Sequence, residues 1–142
     1  MNAFETIPVL NQLFGLLCHS LPAYLADVKT LAWSEGERVR VAIGRLVADQ
    51  QMYAQRVADA ITQRGGRPNP GRFPTEFTAK NDLSLAFLLP EIIDSQRQAV
   101  AAIEHCVGRL EGESALHALA EEVLGNAKGH LDILVEMMKD KG

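Results

Sequence analysis

Four polar side chains interrupt the apolar faces of the helices that this sequence predicts: Gln50, Tyr53, Gln96 and His130. Gln50 and Tyr53, three residues apart, stand where two further core residues would be expected. Helical bundles build metal and ligand sites from such inward-facing side chains on neighbouring helices. Buried polar groups need hydrogen-bond partners, and these four supply both donors and acceptors. The sequence therefore predicts a neutral, hydrogen-bonded polar layer across the core.

Two other uses of this layer remain open. A single transition-metal ion could bind His130 together with Asp94 or Glu91, because imidazole and carboxylate groups are common ligands of such ions. A small ligand could instead occupy a residual pocket in the middle of the layer. The chain shows no nucleophile triad, phosphate-binding glycine loop or Cys-x-x-Cys pair, so the sequence predicts none of those chemistries.

Length and charge exclude several functional classes. The 142 residues predict one domain, residues 1–142, that can bury a core without disulfides or structural metal ions. The net charge is −4 and the basic residues are scattered, so we expect no nucleic-acid or membrane binding. The sequence shows no evident signal peptide and no convincing membrane span. Cys18 and Cys106, both within apolar helical patterns, are expected to be buried thiols in the reducing cytoplasm.

Four long helices must position the polar layer. Apolar spacing predicts them over residues 6–33, 39–64, 81–110 and 114–139. Pro22 should kink the first helix, and Gly65 should end the second, because glycine tolerates the left-handed conformation of a C-cap. The expected N-caps are Ser34 with Glu37, Asn81 or Asp82, and Ser114.

The proline-rich and glycine-rich segment 65–81 is too long for a tight turn. We expect it to carry the chain from one end of the bundle to the other, with Phe73 and Phe77 holding it on the bundle surface.

Three segments resemble bacterioferritin-type and rubrerythrin-type chains of the ferritin-like superfamily. They are Leu10-Asn11-Gln12-Leu13-Phe14-Gly15, the end of the second helix from Tyr53 to Asn69, and Glu122 to Asp132 with its Gly129-His130-x-Asp132. The resemblance implies an all-α, ferritin-like four-helix bundle. Its helices would run up-down-down-up, with a long crossover between the second and third.

The same resemblance implies where a dimetal site would stand. The family takes one Glu from the first and third helices, and a Glu-x-x-His from the second and fourth. The corresponding positions here are Leu17, Gln50-x-x-Tyr53, Gln96 (or Asp94 or Glu91 if the register slips) and Ala127-x-x-His130. Only His130 remains a family ligand, and a neutral glutamine binds iron poorly. The sequence therefore favours a non-catalytic structural or interaction protein without a cofactor. The alternative is a divergent iron- or manganese-binding oxidoreductase.

The first helix is apolar over most of its circumference, so two surfaces must cover it. Val9, Leu16 and Leu25 exceed what one core needs, and an exposed apolar strip is a liability on a monomer. A two-fold partner could cover this strip. We therefore predict a homodimer through the first and second helices, a pairing that the resemblance also implies. His19, His105 and His117 are expected at the surface or in an interface.

Overall fold

The computed structural model describes residues 3–29, 37–80, 83 and 85–140. These residues form five α-helices: α1 (Ala3–Cys18), α2 (Leu21–Lys29), α3 (Glu37–Gln63), α4 (Leu85–Arg109) and α5 (Ser114–Asp140). A 3-10 helix, Thr75–Lys80, lies in the crossover. The last three predicted helices are confirmed to within a few residues. The predicted caps Ser34, Asn81 and Asp82, and the predicted helix end at Trp33, fall outside the described residues.

The prediction of one continuous first helix is wrong. Residues 19–20 separate α1 from α2, and the two helices differ in direction by 44°. Pro22 is the second residue of α2, where its missing N–H needs no helical partner. Ser20 caps this new helix, since its hydroxyl oxygen accepts a hydrogen bond from the Ala23 amide at 3.1 Å. A kink therefore becomes a complete break because the capping residue Ser20 stands two residues before the proline.

The helix directions follow from contacts between the helices. Arg38 of α3 pairs with Asp140 of α5, and Arg56 pairs with Glu122, so α3 and α5 run in opposite directions. The short connection 110–113 makes α4 and α5 antiparallel. The beginning of α1 lies against Gly66, just beyond the end of α3. The bundle is therefore up-down-down-up, as predicted.

Gly65 and Gly66 end α3 as predicted. Gly65 has a φ of 79°, in the left-handed region. Its amide donates to the Thr62 carbonyl, and the Gly66 amide donates to the Ile61 carbonyl, each at 3.0 Å. This pair of bonds satisfies carbonyl groups that a helix end would otherwise leave unpaired.

The crossover covers the outer face of α1. The Asn69 amide donates to Asn11 Oδ1 at 2.7 Å, and a Cβ added to Gly15 would lie 2.9 Å from the Pro70 carbonyl oxygen. The Phe73 ring lies 4.5 Å from the His19 ring, centroid to centroid. Phe73 and Phe77 thus hold the crossover on the bundle, as predicted.

The second cover of the first helix therefore comes from the same chain. Val9 and Leu25 are 0% exposed, and Leu16 is half-buried. The premise that these residues are left over for a second copy is wrong, because sequence spacing alone does not show where the crossover lies.

Buried apolar residues form two clusters along the bundle. Cluster A contains Val9, Leu10, Leu13, Leu17, Ala54, Val57, Ala60, Ile61, Ile103, Cys106, Leu110, Leu116, Leu119, Ala120, Val123 and Ala127. Cluster B contains Leu21, Leu25, Val39, Ile43, Leu46, Val47, Leu88, Leu89, Ile92, Ile93, Leu134 and Met137. The level between them contains the break in the first helix together with Gln50, Gln96 and His130.

The two cysteines are free, as predicted. Cys106 is buried in cluster A, and Cys18 is half-buried at the end of α1. Burial raises the pKa of both thiols, which disfavours the reactive thiolate.

Within the described ranges, no single helix is long and apolar enough to cross a membrane. Glu5–Cys18 and Leu21–Asp27 reach the required length and composition only together, as a bent pair.

Candidate functional site

Gln50 supports the break between α1 and α2. Its side chain is buried, with 8% of the residue exposed. The Ser20 hydroxyl donates to Gln50 Oε1 at 2.9 Å and accepts from the Ala23 amide. One hydroxyl therefore caps α2 and joins it to α3. Gln50 provides a buried acceptor for this half-buried capping hydroxyl.

Gln96 occupies the same level on α4, and only 2% of the residue is exposed. Its Nε2 donates to the Ala127 carbonyl oxygen of α5 at 3.1 Å. Its Oε1 is buried and accepts no hydrogen bond from any described residue. Reversing the amide would place two oxygens against each other, so the Ala127 carbonyl fixes the orientation. A buried acceptor without a donor costs about 1–3 kcal/mol.

His130 belongs to a polar group between α3 and α5. Its Nε2 lies 2.7 Å from Asp49 Oδ2, and Asn126 Nδ2 donates to the same oxygen at 2.8 Å. The hydrogen bonds from Asn126 and then His130 hold the pKa of Asp49 below its usual value, because both stabilise the carboxylate. An ionised Asp49 in turn orients the imidazole ring.

Asp49 is not among the site residues predicted from the sequence. It lies directly before Gln50, outside the apolar stripe of α3, and looks like an ordinary surface acid. One signal could have revealed it: Asn126 and His130 are one turn apart on α5 and can share a single acceptor on a facing helix.

Tyr53 does not join the other three predicted layer residues. Its half-buried ring packs against cluster A, 5.5 Å from the Arg56 guanidinium. Among the described residues, its hydroxyl has no hydrogen-bond partner. The structure thus brings Gln50, Gln96 and His130 to one level, but each bonds a different partner. Leu17 and Ala127, the other two positions that the resemblance implies, are buried in cluster A.

Glu91 and Asp94, the other candidate metal ligands, are engaged elsewhere. Glu91 pairs with Lys80 at 2.7 Å, and Asp94 pairs with Arg97 at 3.4 Å. Both acids are exposed on α4, whereas His130 bonds to α3. The part of the chain that the structure describes contains no group of three His, Cys, Asp or Glu side chains that could hold a metal ion.

The remaining histidines differ in their environments. His19 is half-buried, and both of its ring nitrogens are buried beside Phe73 without a hydrogen bond to any described residue. The crossover accounts for this burial. His105 is exposed, and His117 Nδ1 lies 2.8 Å from Glu121 Oε1 one turn along α5.

A solved structure has the same fold as this chain. It is described as that of ferritin-like, diiron-carboxylate proteins from Bacillus anthracis str. Ames. It matches with a TM-score of 0.76 over 95% of this chain and 96% of that chain, at 16% sequence identity. The match confirms the predicted all-α, ferritin-like bundle, and identity this low shows the fold alone. No protein-family model and no curated protein matches the sequence.

Proposed function

We propose that this single-domain ferritin-like bundle is a non-catalytic structural or interaction protein. The side-chain set at the centre of the bundle carries the proposal. Two iron ions need carboxylates that offset their charge and bridge them. The positions implied by the resemblance hold Leu17, Gln50, Tyr53, Gln96, Ala127 and His130, none of which is a carboxylate. This donor set does not fit a dimetal centre.

The hydrogen bonds of these side chains support the same proposal. The Gln50 carbonyl group accepts from Ser20, the Gln96 amide group donates to Ala127, and His130 is bound to Asp49. A metal bound by Gln50 would compete with the hydroxyl that caps α2. The polar layer therefore serves the bundle itself, by joining helices at the level where the first one breaks.

One observation favours the alternative, a divergent iron- or manganese-binding oxidoreductase. The Asp49 carboxylate and the His130 imidazole lie side by side, with the Asn126 amide on the same carboxylate oxygen. A carboxylate and an imidazole are a common beginning of a metal site. They are too few protein ligands for two metal ions.

Metal analysis separates the two functions. The full chain would be expressed with added iron and manganese, purified without a chelator, and measured by plasma mass spectrometry. We expect far less than one metal ion per chain, with no difference between the parent and His130→Ala. One or more tightly held iron or manganese ions per chain, lost in His130→Ala, would overturn the proposal and favour the metal-binding alternative.

The interaction role includes a homodimer through the first and second predicted helices, which correspond to α1 with α2 and to α3. Met52 of α3 is 46% exposed, so it offers an apolar side chain that a second copy could cover. Burying such an apolar side chain against a second copy is favourable. The free thiols Cys18 and Cys106 support a cytoplasmic location for the protein.

Sedimentation velocity at micromolar concentration tests the homodimer. The parent should sediment as a dimer and Met52→Glu as a folded monomer, since the substitution would place like charges near each other in the interface. Met138→Glu, which changes an exposed methionine on α5, should leave the dimer intact. A monomeric parent would refute this part of the proposal.

A further inference from the structure

A groove of about 320 Å³ lies between α3 and α5. Its size falls at the lower end of the range of small-molecule sites, which are apolar clefts with a few polar groups that orient the ligand. Val41 and Ala42 of α3 and Ile133 and Met137 of α5 supply its apolar surface. Arg45 and His130 also line it. Ile133 is 50% exposed, so a ligand would remove this isoleucine from water.

Among the described residues, one guanidinium group of the groove has no counter-ion. Arg38, which also lines it, pairs with Asp140 at 3.3 Å, and Glu37 pairs with Arg40 at 2.9 Å. Arg45 has no ion pair within the described ranges. Among the described residues that line the groove, the unpaired charge is therefore the positive charge of Arg45.

Arg45 and His130 mark the same end of the groove. Arg45 precedes Asp49 by one helical turn, and Asp49 holds His130. Among the described residues, Asp49 makes its side-chain hydrogen bonds with Asn126 and His130 and forms no ion pair with Arg45. The groove continues along α3 from residue 45 to residue 37, about 12 Å at the rise of an α-helix. The groove is thus cationic at the end near Arg45 and apolar along the rest of its length.

We infer that this groove binds an amphipathic monocarboxylate, with the carboxylate on Arg45 beside His130 and the apolar chain along Val41 and Ile133 towards Met137. A guanidinium group can bind a carboxylate through two parallel hydrogen bonds, which makes this pairing strong and directional. A neutral ligand of the same length would lose this contact, and a cationic one would be repelled. This ligand site is independent of the proposed absence of a metal centre and of the proposed homodimer.

Calorimetric titration of the full chain with octanoate, octanol and octyltrimethylammonium tests the inference. Octanoate should bind with one site per chain, at least ten-fold more tightly than octanol, and the ammonium compound should not bind. Arg45→Gln should reduce octanoate affinity to that of octanol. Arg97→Gln, on the exposed face of α4, should change nothing. Arg45 is exposed and makes no ion pair with the described residues, so the variant should fold normally, as circular dichroism would verify.

Other outcomes would overturn the inference. Equal affinity for octanoate and octanol would show an apolar patch without anion recognition. Unchanged octanoate binding in Arg45→Gln would place the ligand elsewhere, as would amide chemical-shift changes outside residues 37–45 and 130–137. If octanoate bound only by dissociating a dimer in sedimentation velocity, the natural occupant would be a second copy of the chain.

Discussion

The central layer contains two buried glutamines on opposite sides of the bundle, and their environments differ. Gln50 stands beside the break in the first helix and accepts from the Ser20 hydroxyl. Gln96 stands between α4 and α5, two uninterrupted helices, and its Oε1 has no partner in the part of the chain that the structure describes. Gln50 accepts a hydrogen bond from the hydroxyl that caps α2. Gln96 instead adds a buried acceptor that no described residue satisfies. The partner, rather than the residue type, decides whether a buried amide stabilises the fold.

The largest predicted effect on stability is at Ser20, on the side of the bundle where the first helix breaks. Ser20→Ala removes the cap of α2 and leaves Gln50 Oε1 without a donor. A lost cap costs about 0.5–2 kcal/mol and a buried unpaired acceptor about 1–3 kcal/mol. We expect the free energy of unfolding to fall by about 2–4 kcal/mol in urea titrations. Thr78→Ala, in the exposed 3-10 helix, should change it by less than about 0.5 kcal/mol.

Gln50→Leu should destabilise the protein by about 1–2 kcal/mol, because the Ser20 hydroxyl would lose its buried acceptor. Since Ser20 and Gln50 share one bond, the double variant Ser20→Ala/Gln50→Leu should be more stable than the sum of the single effects predicts, by about 1 kcal/mol. Strict additivity in urea titrations would show that the two residues act separately.

Gln96→Leu should change the free energy of unfolding in the opposite direction. It removes one hydrogen bond to Ala127, but it also removes the unpartnered Oε1 and buries more apolar surface. We expect a free energy of unfolding between unchanged and about 1 kcal/mol higher. A loss of unfolding free energy as large as that of Gln50→Leu would show that the two glutamines stabilise the bundle equally.

Asp49 at the edge of the layer should give a smaller, pH-dependent effect. Its pKa is lowered in the folded state, so the stabilisation is present above the unfolded value of about 3.9 and is lost as the pH falls through the lower folded value. Thermal melts should show the advantage of the parent over Asp49→Asn shrinking below about pH 4. Partial exposure of Asp49 keeps this advantage small. Asp132→Asn, on the exposed surface of α5, should leave the acid profile unchanged.

Tyr53→Phe should have the smallest effect. Tyr53 makes no hydrogen bond to the described residues, and phenylalanine keeps its packing on cluster A. We expect a change in unfolding free energy within about 0.5 kcal/mol. A loss above about 1 kcal/mol would show that the hydroxyl belongs to the layer after all.

Local signals in the sequence predicted the long helices and the topology. The apolar period and Gly65 located α3, and Ser114 located the beginning of α5. The break was missed because a proline can kink a helix or begin a new one. Here the second outcome depends on Ser20 and on Gln50, thirty residues away. The hydrogen bond between Asp49 and His130 is likewise a contact between helices, which periodicity does not reveal.

The contacts between the crossover and α1 also affect whether two chains could form a domain-swapped dimer. Bundles made of two helical hairpins can swap a hairpin between copies when the connecting segment acts as a free hinge. Here Asn69 is hydrogen-bonded to α1, Pro70 lies against Gly15, and Phe73 packs on His19. A swap would have to release all three contacts and uncover the apolar outer face of α1. The segment that connects the hairpins therefore also protects each chain against domain swapping.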